Sequence, residues 1–508
     1  MQLEPASVMS RLPAKVWLTA AALFAVLALS GGRYGFHRDE LYFIEGGRHL
    51  AWAQPDNPML VPLLAAGWYQ MVGGRLWAFR LLPAVTAALV VPVGAATSRL
   101  LGGSSREQAV TGAVVAVTAI VVGTGHLFST TTFDLALTAL VLMLLIRALR
   151  QDPQRLLPWL LTGLAAGIDL EVKLLVALVL GCCLLGLLIT GPHRPLAGPG
   201  PWLAAAVAAL LAAPNLIWQA AHSWPMIDIA ASIAAGGSVS SADRATVVPL
   251  HLLMAGVAAG IVLVIGLVSL LRRPQLRRWR WLGVGYLLML ILVVVTGGKP
   301  YYLAGFFPAV IAAGVGPLMG WIDRTQLRRR AAVVALVVLS IPTAFISLPL
   351  APVGSPVYQV AVTVNPDVAE TVGWDGFLDT IRRVAERVPP DQRQQTIVLT
   401  SNYGEAGAIS RELRRPKAAG TGSWLPDVYS GYNGYGEWGP PPGHVQTAIV
   451  VGRFSDEHLA SWFDQCTTEA TVVSPAGVDN EESGAPVRIC RLGGHDLAAS
   501  WPTIRRLG

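Results

Sequence analysis

The sequence predicts a polytopic α-helical membrane protein that carries a compact C-terminal α/β domain on the outer face. Three observations carry that prediction. Of 508 residues, 53% are hydrophobic and only 14% charged, where an ordinary soluble domain has about a quarter charged. About eleven apolar runs approach the roughly 20 residues that an α-helix needs to cross a bilayer. Beyond Pro352 the composition turns to that of a soluble domain. The same numbers exclude disorder, and four cysteines in a chain of this length exclude a disulfide scaffold. The net charge is +7, from 38 Lys and Arg against 31 Asp and Glu. That excess is dispersed among short loops, which argues against a nucleic-acid partner and reports membrane orientation instead.

The apolar runs cover residues 14–32, 78–98, 108–125, 132–147, 157–172, 174–191, 201–219, 248–271, 281–297, 302–321 and 331–350. Starting from a cytoplasmic N-terminus, the loops predicted inside contain Arg11 and Lys15, Arg99 and Arg106, Arg147, Arg150 and Arg155, then Arg194. The last two inside loops hold Arg272, Arg273, Arg277, Arg278 and Arg280, then Arg324, Arg328, Arg329 and Arg330. Basic residues accumulate on the cytoplasmic side of membrane proteins, so the alternation is self-consistent. An odd number of spans sends the C-terminus outside. If the first run were instead a cleaved signal peptide, ten spans would remain and no loop would change sides. The site implied is the cytoplasmic (inner) membrane, crossed many times.

The division expected is a transmembrane domain over 1–351, with a first outer loop at 33–77, and an extracytoplasmic domain over 352–508. In the latter, Val368, Val372, Phe377, Ile381, Val384 and Val388 follow helical spacing, predicting an amphipathic helix over 367–388. Strands are expected at 396–399, 447–452, 469–473 and 487–492. Ser455 with Asp456 and Glu457 makes a cap and acidic first turn for a helix to about Phe463. Cys466 and Cys490 are the two cysteines placed in an oxidising compartment, where a disulfide is open to them. Cys182 and Cys183 lie within an apolar run and read as small core hydrophobes.

Charges at membrane depth or at the outer ends of spans are costly, so they are functional candidates. The first outer loop reads Gly35-Phe-His-Arg-Asp-Glu-Leu-Tyr-Phe43, then Gln54-Pro-Asp-Asn-Pro58. Its Asp39 and Glu40, directly after Arg38, suit a general base held beside cationic or metal partners of an anionic substrate. A solvated helix start is the plainer alternative. Asp134, in Ser129-Thr-Thr-Thr-Phe-Asp134, falls at the outer end of the fourth span, where it is either a site acid or a helix N-cap. Lys173 stands alone between two apolar helices, placed to pair with a phosphate or an acidic site residue, or to reach up to the lipid headgroups; Asp169 and Glu171 are open to being its partners but read more simply as loop residues. Gly297-Gly-Lys-Pro-Tyr-Tyr302 offers close backbone approach, the charge of Lys299, and the hydroxyls and sugar-stacking faces of Tyr301 and Tyr302. The plainer alternative is an interfacial aromatic belt. Pro214-Asn-Leu-Ile-Trp218 reads as belt anchoring. No zinc spacing, P-loop, GxGxxG after a strand or GxSxG occurs, which removes nucleotide hydrolysis and serine hydrolase chemistry.

Taken in order, these segments resemble the membrane-embedded GT-C glycosyltransferases, most of all the bacterial family 39 type related to protein mannosyltransferases and lipid A aminoarabinose transferases. His37-Arg-Asp-Glu-Leu-Tyr42, Pro55-Asp-Asn-Pro58, Phe133-Asp134, Lys173, Pro214-Asn-Leu-Ile-Trp218 and Gly298-Lys-Pro-Tyr-Tyr302 carry the resemblance. Tyr403-Gly-Glu-Ala-Gly407 and Trp438-Gly-Pro-Pro441 are similar to a bacterial branch with an outer tail domain. The resemblance implies a GT-C fold and inverting transfer of a hexosyl or pentosyl group from a polyprenyl-phosphate donor to a glycan, lipid or protein acceptor. It implies Asp39 as the base, Glu40 as its support and Asp134 as a second acid. A divalent metal, Mg or Mn, would touch Asp39 and Asp134. Lys173, Lys299 and Arg38 would meet the donor phosphate, and His37, Asp56, Tyr301 and Tyr302 would line the substrate. Asn57, and the polar pair Asp169 and Glu171, depart from the family pattern. The rivals from other classes are a secondary transporter or lipid flippase, for which repeated halves are missing, and a non-catalytic membrane scaffold.

Overall fold

A computed structural model describes residues 12–151, 155–236, 243–415 and 424–507. Arg11, one of the residues that orient the N-terminus, lies outside the described residues. The chain forms two compact units. The first joins residues 1–32, 80–220 and 230–350; the second joins 33–79, 221–229 and 351–508.

All described elements of the first unit are helical, and a helix or broken helix pair stands at each of the eleven apolar runs. Among the described residues, six helices are long and apolar enough to cross a membrane, or eight if each bent pair is one span. Ala14–Ser30, Leu156–Leu170 and Leu175–Thr190 are apolar but only 17, 15 and 16 residues long. At 1.5 Å per residue they reach about 23–26 Å, short of a hydrocarbon core of about 30 Å. Eleven crossings therefore rest on hydropathy and loop charge rather than on helix length.

The run expected at 248–271 is not one helix. Val247–Ala255 and Val257–Arg272 meet at 110°, because Gly256 between them takes a φ of +78°, which residues with a Cβ adopt only under strain. The run at 108–125 likewise bends by 58° between Ser105–Ala116 and Ala119–Gly125. Elsewhere glycine permits close helix packing: a Cβ on Gly285 would sit 3.1 Å from the Cα of Cys183, so Arg280–Thr296 lies tightly on Leu175–Thr190. Cys182 and Cys183 are buried in that contact, as small core residues. Leu184, Leu185 and Leu188 on helix Leu175–Thr190, and Val333, Val334 and Val337 on helix Gln326–Ser347, are exposed apolar side chains of a kind that suits lipid and not water.

The second unit holds a five-stranded sheet of β1 (Thr396–Thr400), β2 (Val428–Ser430), β3 (Thr447–Val451), β4 (Gln465–Thr471) and β5 (Pro486–Arg491), in the order β2-β1-β3-β5-β4. β1 runs parallel to β2 and β3, and β5 antiparallel to β3 and β4. β1 and β3 are buried at every position, as the apolar runs require of central strands. Cys466 and Cys490 pair directly across β4 and β5 and form a disulfide. β2 has no counterpart in the expected strands, being only three residues long. The helix expected over 367–388 is broken: a 3-10 turn at Pro366–Thr371 precedes Gly373, whose φ is +105°, and the helix is Trp374–Ala385.

Segment 33–79 is stitched to the tail throughout this unit. The Gly35 amide donates to the Thr371 carbonyl at 2.7 Å, and the Trp374 indole to the Phe36 carbonyl at 2.8 Å. Arg411 donates to the Tyr69 hydroxyl at 3.0 Å, Arg414 pairs with Glu45, and His49 stacks on Trp438 with ring centroids 3.9 Å apart.

Candidate active site

In the second unit, helix Arg38–Gly46 begins with a reciprocal cap. The His37 ring accepts from the Asp39 amide at 3.2 Å, and Glu40 accepts from the His37 amide at 2.8 Å. Such caps stabilise a helix start by about 0.5–2 kcal/mol. Glu40 is fully buried in that task and His37 is 7% exposed. Asp39 points elsewhere. Its Oδ1 accepts from the Tyr403 hydroxyl at 2.9 Å, its Oδ2 lies 3.9 Å from His37 Nδ1, and 36% of its side chain remains accessible.

Arg38 is buried. Its guanidinium meets Glu481 at 2.5 Å and Glu370 at 3.6 Å and lies 5.0 Å from the Tyr403 ring centroid. Burial opposes its charge, but Tyr403, Glu481 and Glu370 outweigh burial and hold it well above the ordinary arginine range. The guanidinium of Arg38, an expected phosphate ligand, is thus engaged by carboxylates of the tail. Asp56 accepts from the Tyr42 hydroxyl at 2.8 Å and from the Asn433 amide at 3.2 Å. Burial pushes its carboxyl up to about 6, and the charge of Asp39 adds to the rise. Asn433 holds that contact from a strained backbone with φ of +48°.

The motif Tyr403-Gly-Glu-Ala-Gly407 opens helix Tyr403–Leu413, and each member has a physical task. Asn402 caps the helix by accepting from the Glu405 amide at 2.9 Å, and Glu405 returns the bond to the Asn402 amide at 3.1 Å. Gly404 and Gly407 lie one turn apart on the face toward helix Arg38–Gly46. A Cβ on Gly404 would stand 2.8 Å from the Arg38 Cβ, and one on Gly407 would stand 2.9 Å from the Leu41 Cβ. The two helices thus meet at a separation that only glycine allows, and Tyr403 reaches Asp39 across it.

The first unit gathers a second group. Helix Thr130–Arg150 is capped by Ser129, which accepts from the Thr132 amide at 3.3 Å. Asp134 is therefore not the cap; it sits a turn inside, 6% exposed, with Oδ1 unpaired. Asp169 is fully buried and accepts from the Thr138 hydroxyl at 2.8 Å. Lys173, in the break after Leu156–Leu170, is the charged neighbour of both acids. Its ammonium lies 5.0 Å from the Tyr301 ring and 5.1 Å from the Tyr302 ring, while that of Lys299 lies 5.9 Å from Tyr301. Gly297, with φ of +70°, ends helix Arg280–Thr296 and turns the chain into this loop. Asp134, Lys173, Lys299, Tyr301 and Tyr302 thus fall together in one unit, and His37, Arg38, Asp39, Glu40 and Asp56 in the other.

Residues 56–218 match the family described as dolichyl-phosphate-mannose-protein mannosyltransferase. No curated protein matches the chain. Its fold is similar to that of ArnT from Cupriavidus metallidurans bound to undecaprenyl phosphate, with 16% identity and a TM-score of 0.58 over 94% of this chain and 98% of that one. ArnT in the apo state is similar at 17% identity, with the same TM-score, over 94% and 97%. The chain has the GT-C fold. It is a multi-pass membrane protein. The mycobacterial arabinofuranosyltransferase AftD is also similar, at 16% identity and a TM-score of 0.51, over 95% of this chain and 40% of its own.

Within the GT-C fold, sequence reasoning missed Tyr403, Asn433 and Glu481 as neighbours of the candidate residues. Tyr403 was visible only as part of a glycine-containing motif far along the chain. Asp169, open to partnering Lys173, was read as a loop residue, although a carboxylate inside an apolar stretch is itself a signal. No group of three or more His, Cys, Asp or Glu able to hold a metal ion occurs among the described residues. No step is derived through a metal.

Proposed function

We propose that this chain is an inverting glycosyltransferase that moves a hexosyl or pentosyl group from a polyprenyl-phosphate donor to a glycan, lipid or protein acceptor at the outer face of the cytoplasmic membrane. The observation that carries the reading is Asp39, an accessible carboxylate oriented by a tyrosine hydroxyl while its neighbours Glu40 and Arg38 are held in structural contacts. The similarity over nearly the whole chain to a structure that contains undecaprenyl phosphate supports the donor class.

In this reading the acceptor hydroxyl oxygen attacks the anomeric carbon while Asp39 takes its proton. The bond from that carbon to the phosphate oxygen breaks with its electron pair, and polyprenyl phosphate leaves. Lys173 and Lys299 meet the negative charge that grows on the leaving oxygen. Asp134 and Asp169 hold Lys173 in charge balance, and Tyr301 and Tyr302 keep its ammonium over their ring faces. Asp56, with Tyr42 and Asn433, is assigned to the acceptor's hydroxyls, while His37 serves as helix cap.

The proposed topology puts the N-terminus in the cytoplasm and the 352–508 domain outside, with transmembrane residues over 1–351. The arginine runs of the inside loops support it, and so does the disulfide Cys466–Cys490, which suits an oxidising compartment. The test supplies membranes carrying the chain with a panel of labelled polyprenyl-phosphate sugars. One donor is expected to give a labelled product, and Asp39→Asn membranes are expected to give at least a hundredfold less, since general base catalysis is worth about 10²- to 10⁴-fold. Lack of transfer from every donor would overturn the assignment in favour of a transporter or scaffold, and equal transfer by Asp39→Asn would place the base elsewhere, with Glu40 the next candidate.

A further inference from the structure

We infer that Tyr403 is the positioning residue for Asp39, so that the C-terminal domain fixes the orientation of the base. The inference rests on the transferase reading above and adds a residue to it.

The geometry is specific. Tyr403 is the first residue of helix Tyr403–Leu413, so its backbone is fixed by the Asn402 and Glu405 cap. Its ring is clamped on three sides: by Tyr42 at 4.7 Å between centroids, by Tyr432 edge-on at 5.3 Å, and by the Arg38 guanidinium at 5.0 Å. A ring so held leaves its hydroxyl one position, and that position is 2.9 Å from Asp39 Oδ1. Burial, reinforced by the charge of Asp39, keeps the phenol well above its ordinary range, so it remains a donor at physiological pH. Donation to Oδ1 locks rotation of the carboxylate and leaves Oδ2 to take a proton. Arg38 does not substitute for this contact, because Glu481 and Glu370 occupy its guanidinium. The charged and titratable groups around the pair are His37, Arg38, Tyr42, Asp56 and Tyr432.

Tyr403→Phe keeps the ring contacts and deletes only the hydroxyl. In membranes carrying the full-length protein, Tyr403→Phe is expected to lower kcat about tenfold with donor KM unchanged. Added to Asp39→Asn it is expected to cause no further loss, because its effect passes through that carboxylate. A normal kcat in Tyr403→Phe, or a full tenfold further loss in the double variant, overturns the positioning role. Normal transfer by Asp39→Asn alone overturns instead the assignment of Asp39 as base.

Discussion

Asp39 and Lys173 are proposed for different roles, proton acceptance and phosphate binding, and their removal is expected to leave different kinetic traces. In that proposal the phosphate is charged before the reaction and more charged on leaving. Lys173→Ala is therefore expected to weaken binding of a polyprenyl-phosphate sugar about tenfold and to lower the transfer rate further, whereas Asp39→Asn leaves donor binding intact. Titrating donor binding beside transfer rate checks the split; Lys173→Ala with normal donor affinity would remove the phosphate role. At this scale the sequence was informative about type and poor about partners. An acid pair beside a basic residue near a membrane stands out, so Asp39 was legible. That Glu40 is a cap was not, because His37 is an uncommon capping residue. Asp134 was open to a capping role until Ser129, five residues earlier, was found in it. Tyr403 lies 364 residues from Asp39, and nothing local reports such a contact.

The elements show where hydropathy reads well and where it fails. Long apolar helices and the buried strands β1 and β3 announce themselves by composition. Breaks inside apolar runs do not, because a glycine at positive φ is as apolar as its neighbours; Gly256 and Gly373 each divided an expected helix. The three-residue β2 was too short to show any period. Glycine on the face of helix Tyr403–Leu413 has a testable consequence. Gly407→Val inserts a branched side chain where a Cβ alone would stand 2.9 Å from Leu41. Overpacking of this kind costs about 1–3 kcal/mol. The variant is expected to unfold at lower temperature and lose most transfer, while Gly443→Ala, whose Cβ meets nothing within 4 Å, changes neither. Equal melting temperatures would mean that the helix pair tolerates separation.

For the molecule as a whole, loop charge and protonation make separate predictions. In whole cells, a membrane-impermeant thiol reagent is expected to label a single cysteine placed at position 56 and to miss one at 275; the reverse pattern would invert the proposed topology. The second unit sets Glu370, Glu481 and Glu482 around one Arg38, and Glu405 beside Glu482. Burial, with the charge of Glu482 adding, pushes Glu370 and Glu405 up to about 8. Groups whose folded pKa is raised bind more protons folded than unfolded, so their contribution is complete below about pH 4 and is lost as pH rises through about 8. The melting temperature of the full chain is expected to be lower at pH 9 than at pH 6, and Glu405→Gln to flatten that slope. A slope unchanged in Glu405→Gln would place the titration elsewhere. The order of the membrane helices was legible from hydropathy, whereas the joining of residues 33–79 with 351–508 was not, since it depends on which surfaces fit.

That joining sets a clock on biosynthesis. Ribosomes deliver about 5–20 residues per second, so the segment carrying Asp39 emerges about 20–70 s before Tyr403, 364 residues later. During that interval the first loop has neither its hydroxyl donor nor the acids that neutralise Arg38. A nascent chain, or one released early by a nonsense codon, therefore inserts its helices before Asp39 has its hydroxyl donor, and in the proposed reading full activity waits for the last domain to be made.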